Sequence, residues 1–229
     1  MSPTQPQPRT FTNSLSHVYD TIITVAVGPD DAKKKFKIYR GLLCHFSSYF
    51  DRMLNGSFRE SGSTYLRQKD TDADTFNVFY YWLNSGVLDL ADSEGFQVWR
   101  KVMKAYVFAD FHQAPVFKNA VLESLYTRWV LESIVAVDMT KFLYTNTSEG
   151  DSMRRLVVDI LAVTCDFERS HRHRLFDCHK EFLIDIIMVC REQCLAPGVG
   201  TNLDADAWHA NMRNSFCKRY HTHREREAP

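Results

Sequence analysis

Cysteine and histidine residues concentrate in the second half of the 229-residue sequence, where their side chains could hold a metal ion. Two pairs have the spacing of one helical turn, Cys190 with Cys194 and Cys217 with His221. Four donors of this kind would suit a tetrahedral zinc ion. The further donors nearby are His171, His173, Cys178 and His179. The spacings match no standard zinc finger, and Cys190 lies at a core-like position of an apolar helix, so the sequence predicts no metal site.

Residue patterns that would support catalysis are missing from the sequence. It has no glycine-rich phosphate loop and no Gly-x-Ser-x-Gly elbow. The paired acids Asp30 and Asp31 lie in a turn, where carboxylates are usually solvated rather than arranged for acid–base chemistry. We therefore expect a protein that is not an enzyme and needs no cofactor.

Composition and charge exclude several classes of partner. Lys and Arg together number 28, as do Asp and Glu, so the net charge is zero and no overall field favours nucleic acid or an anionic membrane. No stretch approaches the roughly 18 apolar residues of a membrane span. The six cysteines are widely spaced, unlike a disulfide framework, and the first ten residues lack the apolar segment of a secretory signal. We expect the protein in the cytoplasm, the nucleus or both.

The first half of the chain carries two strand patterns separated by a turn. Residues 21–27 are β-branched and almost continuously apolar, which is typical of a strand buried on both faces. Residues 33–39 alternate in polarity, the period of a half-buried strand. The turn residues 28–31 lie between them, so a hairpin is predicted. A short edge strand is expected at 64–68.

Helical spacing dominates the chain after the hairpin. Between residues 41 and 54 apolar positions recur at intervals of three and four, and Ser47 could cap a second helix where this pattern breaks. Strands followed by many helices predict an α+β fold. The remaining predicted helices cover residues 72–84, 94–110, 115–128, 131–145, 151–166 and 179–194.

The run from His17 to Glu60 resembles the opening of a BTB/POZ domain. The family pattern is a strand after an Asp, a strand ending near a His or aromatic residue, a leucine pair, a Ser, an aromatic pair and a Gly-x-Phe-x-Glu ending. In this chain these are Asp20, Tyr39, Leu42-Leu43, Ser47, Tyr49-Phe50 and Gly56-Ser57-Phe58-Arg59-Glu60. The segment from Trp99 to Leu125 is similar to the family's last two helices. The resemblance therefore covers residues 17–128.

The resemblance implies a protein-binding domain that forms a homodimer. Asp20 stands where the family buries an acidic residue at the dimer interface, and Arg40 stands where a positive partner is usual. The implied interface residues are Asp20, Arg40, Leu42, Leu43 and Phe46. From the residues alone two alternatives stay open: Asp20 as a turn residue that starts a strand, and the apolar residues as ordinary core.

Phe58 and Glu60 match a second feature of the family. In BTB adaptors that recruit a cullin scaffold, a hydrophobic-x-Glu element in this region contacts the cullin, with the apolar side chain in a pocket and the acid at its rim. The resemblance implies this cullin contact for Phe58 and Glu60. The alternative is a loop after a helix, with Phe58 tucked into its own core.

Four segments follow from these patterns: a disordered N-terminal segment at 1–16, a BTB/POZ domain at 17–128, a helical extension at 129–195 and a polar C-terminal tail at 196–229. The extension is similar to the helical tail of fungal stand-alone BTB proteins. No internal repeat or second recognition domain is present, so only the extension could hold a client protein.

The predicted function is protein–protein interaction. We expect a homodimer that acts as a substrate adaptor for a cullin-based ubiquitin ligase, with a client protein that the sequence does not identify. The alternative is an oligomerising scaffold or transcriptional co-regulator without a ligase. Failure to bind any cullin N-terminal domain would favour this alternative.

Overall fold

The chain forms two units of structure, each described here by itself. The first comprises Met1–Glu94, Lys104–Val121 and His223–Pro229, and the second Gly95–Met103 and Leu122–Thr222. Within them the computed structural model describes residues 18–58, 60–88, 90, 96–132, 139–164, 176–192 and 205–223. The prediction of disorder at 1–16 lies outside the described residues. Strands and helices both occur, so the α+β class is confirmed at this level.

A three-stranded sheet in the first unit begins with the predicted hairpin. Strand β1 (Ile22–Val27) pairs antiparallel with β2 (Lys34–Tyr39), and the turn between them contains Gly28 at φ 96°. Glycine suits that left-handed conformation because it has no Cβ. Strand β3 (Tyr65–Gln68) pairs parallel with β1, giving the order β2-β1-β3. The hairpin and the short edge strand are confirmed.

The prediction that β1 is buried on both faces is wrong at its first residues. Ile23 and Val25 are buried, but Ile22 is 53% exposed and Thr24 is half-buried. The apolar run gave a wrong prediction because β-branched residues are favoured in strands whether or not both faces are buried. A continuous run of them therefore does not require that both faces of the strand are covered. One end of the strand therefore presents an apolar side chain outward.

The predicted break between two helices at Ser47 is confirmed. Helix α1 spans Arg40–Phe46 and helix α2 spans Ser48–Asn55. The Ser47 hydroxyl accepts a hydrogen bond from the Phe50 amide at 3.2 Å and donates one to the His112 carbonyl at 2.5 Å. A single side chain thus starts α2 and anchors it within the unit.

Three longer helices follow, close to the predicted positions: α3 (Ala73–Ser85), α4 (Phe96–Phe111) and α5 (Pro115–Glu132). Asp72 caps α3, and Gly86 ends it in the left-handed conformation at φ 74°. The core of the first unit is strongly aromatic. Its buried rings include Phe50, Phe76, Phe79, Trp82, Phe108 and Phe117.

The second unit contains further helices in its described part: α6 (Thr140–Asn146), α7 (Ser152–Thr164), α8 (Lys180–Glu192) and α9 (Ala205–Tyr220). The predicted helix at 131–145 is observed over α6, while residues 133–138 lie outside the described part. Among the described helices, none is both long and apolar enough to cross a membrane.

The prediction of a loop or tail at 196–229 is wrong for residues 205–220, which form α9. Met212, Phe216 and Tyr220 recur every four residues and are buried, and Trp208 precedes them at the same interval. This spacing puts them along one face of a helix. The charged residues between them obscured the signal.

Candidate functional site

The turn that follows α2, which we call the Phe58 turn (residues 56–58 and 60–63), carries the predicted cullin-contact residues. Phe58 is 61% exposed, whereas Glu60 is half-buried. Three backbone hydrogen bonds hold the turn, from Ser61 to Phe58 (3.0 Å), from Ser63 to Glu60 (2.9 Å) and from Gly62 to Leu54 (3.2 Å). The alternative that Phe58 is tucked into its own core is therefore wrong.

The Phe58 turn has the properties of a small protein-contact element. The backbone of the turn is already fixed by hydrogen bonds, so little further backbone freedom is lost when a partner covers the exposed ring. The carboxyl group of Glu60, two residues further on, can mark the polar rim around such an anchor. The cullin contact of the Phe58 turn stays a prediction.

Asp20 and Arg40 do not form the expected pair. Asp20 is exposed, and its Oδ1 accepts a hydrogen bond from the Gly41 amide at 2.9 Å. The Arg40 guanidinium instead donates to the Leu54 carbonyl at 2.7 Å and to Asn55 Oδ1 at 2.6 Å. Each residue forms a hydrogen bond with a backbone group at the end of a helix. Asp20 accepts from an amide at the start of α1, and Arg40 donates to a carbonyl at the end of α2.

Gly41 fixes the approach of the chain to α1. A Cβ atom on this residue would lie 2.8 Å from the backbone oxygen of Val18, closer than side-chain atoms tolerate. Together with the Asp20 hydrogen bond, this contact holds residues 18–20 against the start of α1. The part of the chain that leads into β1 is therefore positioned by α1.

Three of the predicted interface residues lie in the core of a single chain. Leu42 and Leu43 are fully buried and Phe46 is 5% exposed. They present almost no surface to a second copy in this conformation. Their assignment to a dimer interface stays a prediction, while the exposed apolar surface of the first unit lies elsewhere.

The outer face of the sheet carries an apolar and aromatic patch that the sequence analysis missed. We call it the outer sheet face: Ile22 is 53% exposed, Tyr65 is 45% exposed and Tyr19 is 41% exposed. Tyr65 lies opposite Thr24, which shares a face with Ile22. The Tyr19 ring contacts the ring of Tyr39 edge-on, with 5.1 Å between centroids. The mixed polarity of residues 19–24 is the signal that could have indicated a half-covered strand.

The second unit contains an open groove of about 770 Å³. Val158, Met188 and Val189 supply apolar lining, and the charged side chains around it include Arg155 and Lys218. Asp159 also lines the groove, but its carboxylate is engaged by the Tyr220 hydroxyl at 2.5 Å and by Arg219 at 2.9 Å. Apolar grooves are one of the ways in which proteins hold peptide segments.

One of the paired acids at the hairpin turn, Asp30, has structural partners. Asp30 forms ion pairs with Arg67 at 3.0 Å and Lys69 at 3.2 Å. Hydrogen bonds from Arg67 and then Lys69 lower the pKa of the Asp30 carboxyl. A carboxylate held in its charged form is a poor general acid at neutral pH. The arrangement supports the turn rather than a reaction.

The cysteines and histidines of the second half have different placements. Cys190 is buried, as its core-like position predicted, while Cys194, His171 and His173 lie outside the described residues. Cys178 and His179 are half-buried just before α8. Cys217 and His221 lie at the end of α9 and just after it. Cys44 and Cys190 are free thiols.

Comparison with family models and with curated proteins gives no match for this chain. The family resemblance of residues 17–128 therefore remains an inference from sequence motifs.

Proposed function

We propose that the protein is a BTB/POZ-type interaction module that self-associates and serves as a substrate adaptor for a cullin-based ubiquitin ligase. The observation that carries this proposal is the Phe58 turn, in which an exposed phenyl ring is followed two residues later by a carboxyl group. The two strands β1 and β2 followed by the capped pair α1–α2 support it, since they fit the order of strands, leucine pair and Ser on which the resemblance rests.

Self-association is proposed to use the outer sheet face rather than the buried residues of α1. Ile22, Tyr65 and Tyr19 are exposed together on one side of the first unit. Covering such side chains removes apolar surface from water, which stabilises an interface at about 25 cal/mol per Å². Aromatic residues are also enriched at protein interfaces.

The client protein is proposed to bind the second unit. Its groove offers apolar lining beside exposed charged side chains. The groove is lined by residues of the predicted helical extension and by Lys218, Arg219 and Tyr220 of the segment predicted as a tail. Compartments consistent with the proposal are the cytoplasm and the nucleus.

Binding to isolated cullin N-terminal domains tests the adaptor function. The full chain is titrated into each domain by calorimetry, beside the variants Phe58→Ala and Glu60→Gln. We expect Phe58→Ala to weaken binding at least about tenfold, because a central aromatic anchor commonly contributes 2 kcal/mol or more. Phe111→Ala is the matched control, since Phe111 is 67% exposed in the same unit but lies outside the turn.

Each outcome of the cullin titration either supports or removes a part of the proposed function. No binding to any cullin domain removes the adaptor function and favours the scaffold or co-regulator that lacks a ligase. Binding that Phe58→Ala and Phe111→Ala weaken equally removes the assignment of the contact to the Phe58 turn. Loss confined to Phe58→Ala and Glu60→Gln supports the proposal.

A further inference from the structure

The end of α9 brings a thiol and an imidazole together. Cys217 and His221 are four residues apart, and the His221 amide donates to the Cys217 carbonyl at 3.1 Å, so both project from one face of a helical turn. The Cys217 sulfur lies within 4.8 Å of a His221 ring nitrogen. Sequence spacing alone left open whether these residues were in a helix at all.

His221 is held in place by its surroundings. Its side chain is only 10% exposed, and its Nε2 lies 3.2 Å from the Glu123 carboxylate. The Phe216 ring contacts it edge-on, with 5.5 Å between centroids. A carboxylate beside one imidazole nitrogen is the usual support of a metal-binding histidine, because it orients the ring and increases its basicity.

The Cys217 side chain is more exposed to solvent than those of the other described cysteines. It is exposed, whereas burial raises the pKa of the Cys190 thiol and raises that of Cys44 to about 11. A buried thiol is hard to ionise, and the thiolate is the form that binds metals. The thiol best placed to become a ligand therefore lies one turn from an oriented imidazole.

We propose that the end of α9 binds a divalent transition-metal ion of the zinc class through Cys217 and His221. Thiolate and imidazole are the donors that zinc prefers, at about 2.3 Å and 2.0–2.1 Å. These bond lengths place the two donor atoms about 3.5 Å apart in a tetrahedral site, so a side-chain shift of roughly 1 Å from the 4.8 Å limit suffices. The site belongs to the second unit, whereas the Phe58 turn belongs to the first, and the proposed function does not require this metal ion.

Cobalt(II) is the probe for this site because thiolate ligation gives it a near-ultraviolet charge-transfer band. The full chain is titrated with Co²⁺ in a buffer without thiols, and zinc is then added in competition. We expect one equivalent to give the band and zinc to remove it. Cys217→Ser abolishes the band, and His221→Gln weakens binding by at least about tenfold.

Two controls make the result decisive. Cys178→Ser removes another cysteine of the second unit and retains the band. Because His221 is largely buried, its variant is checked by circular dichroism, while the exposed Cys217→Ser variant provides the test that folding does not confound. Absence of a thiolate band in the wild type, or a band that survives Cys217→Ser, overturns the proposal.

Discussion

The two units of the chain bury polar groups in opposite ways. In the described part of the first unit the buried polar side chains are neutral: Ser47, Gln68, Thr75 and His112. In the described part of the second unit they include the charged Arg154 and Asp159. Both units have apolar cores, but the second unit also holds buried charged groups whose stability depends on their having the correct partners.

His112 illustrates how the first unit stays uncharged. It is 2% exposed, its ring stacks on that of Phe108 at 3.9 Å between centroids, and its Nδ1 lies 2.9 Å from the Phe108 carbonyl. Burial lowers the pKa of His112 to about 4, so the imidazole is neutral at pH 7. The polar group is accommodated by suppressing its charge.

Arg154 of the second unit stays charged and is surrounded by hydrogen-bond acceptors. Its guanidinium donates to the carbonyls of Tyr144 and Thr147, to the Thr147 hydroxyl and to Glu181, while lying 4.2 Å from the centre of the Tyr144 ring. The Tyr144 hydroxyl in turn donates to Asp185 at 2.6 Å. The network joins α6, α7 and α8, so its members support one another.

The largest effect is expected from breaking this network. Arg154→Ala leaves the Tyr144 and Thr147 carbonyls without their donor, and each buried acceptor left unsatisfied costs about 1–3 kcal/mol, whereas the exposed Glu181 side chain adds little. The neighbouring Arg155 is exposed and bonds only to Ser152 among the contacts described, so Arg155→Ala should cost less than about 0.5 kcal/mol. Urea unfolding measures both. Equal losses would contradict the comparison.

A pH titration of stability tests the neutral core of the first unit. Between pH 6.5 and about 4 the unfolded chain binds a proton at His112 that the folded chain does not, so the free energy of unfolding falls as pH falls through this range. The loss attributable to His112 is about 3 kcal/mol at most, and it is absent above pH 6.5. His112→Phe removes this component. If the variant and wild type keep the same pH dependence, the burial argument for His112 fails.

Conservative substitutions give the smallest effects and the sharpest contrast. Ile38→Val keeps a β-branched apolar side chain in the core of the first unit and should cost about 0.5–1.5 kcal/mol. Arg154→Lys keeps the charge but loses the planar set of donors, and should cost more than Ile38→Val. Chemical denaturation ranks the two variants. The reverse order would mean that the planar donor geometry of Arg154 contributes less to the stability of the second unit than we argue.

The same contrast explains what the sequence could predict. The hairpin, the break at Ser47 and α3 follow from local patterns: alternation, an N-cap and a C-terminal glycine. Local patterns also predicted most of the helical stripes of the second unit. They could not predict α9, because its apolar residues are separated by charged ones, or the partners of Arg154, which lie 7 to 27 residues away in sequence.

Some residues of the candidate site could likewise be predicted from local sequence patterns and others could not. Phe58 and Glu60 were found from a short motif, and the structure adds the exposure of Phe58 and the hydrogen bonds that hold the turn. Leu42 and Leu43 were assigned to an interface by resemblance, yet an apolar residue at helical spacing looks the same in sequence whether it faces a core or a partner. Ile22 was missed because the continuous apolar run concealed its exposed side.

Solution mass most directly tests the central claim that the protein self-associates through the outer sheet face. Light scattering across a micromolar concentration series should give twice the 26.6 kDa of one chain for the wild type and for Phe58→Ala. Ile22→Lys, which places a charge on the exposed end of β1, should shift the protein to the monomer without unfolding it. A wild-type monomer at every concentration, or a dimer that Ile22→Lys leaves intact, would contradict the account.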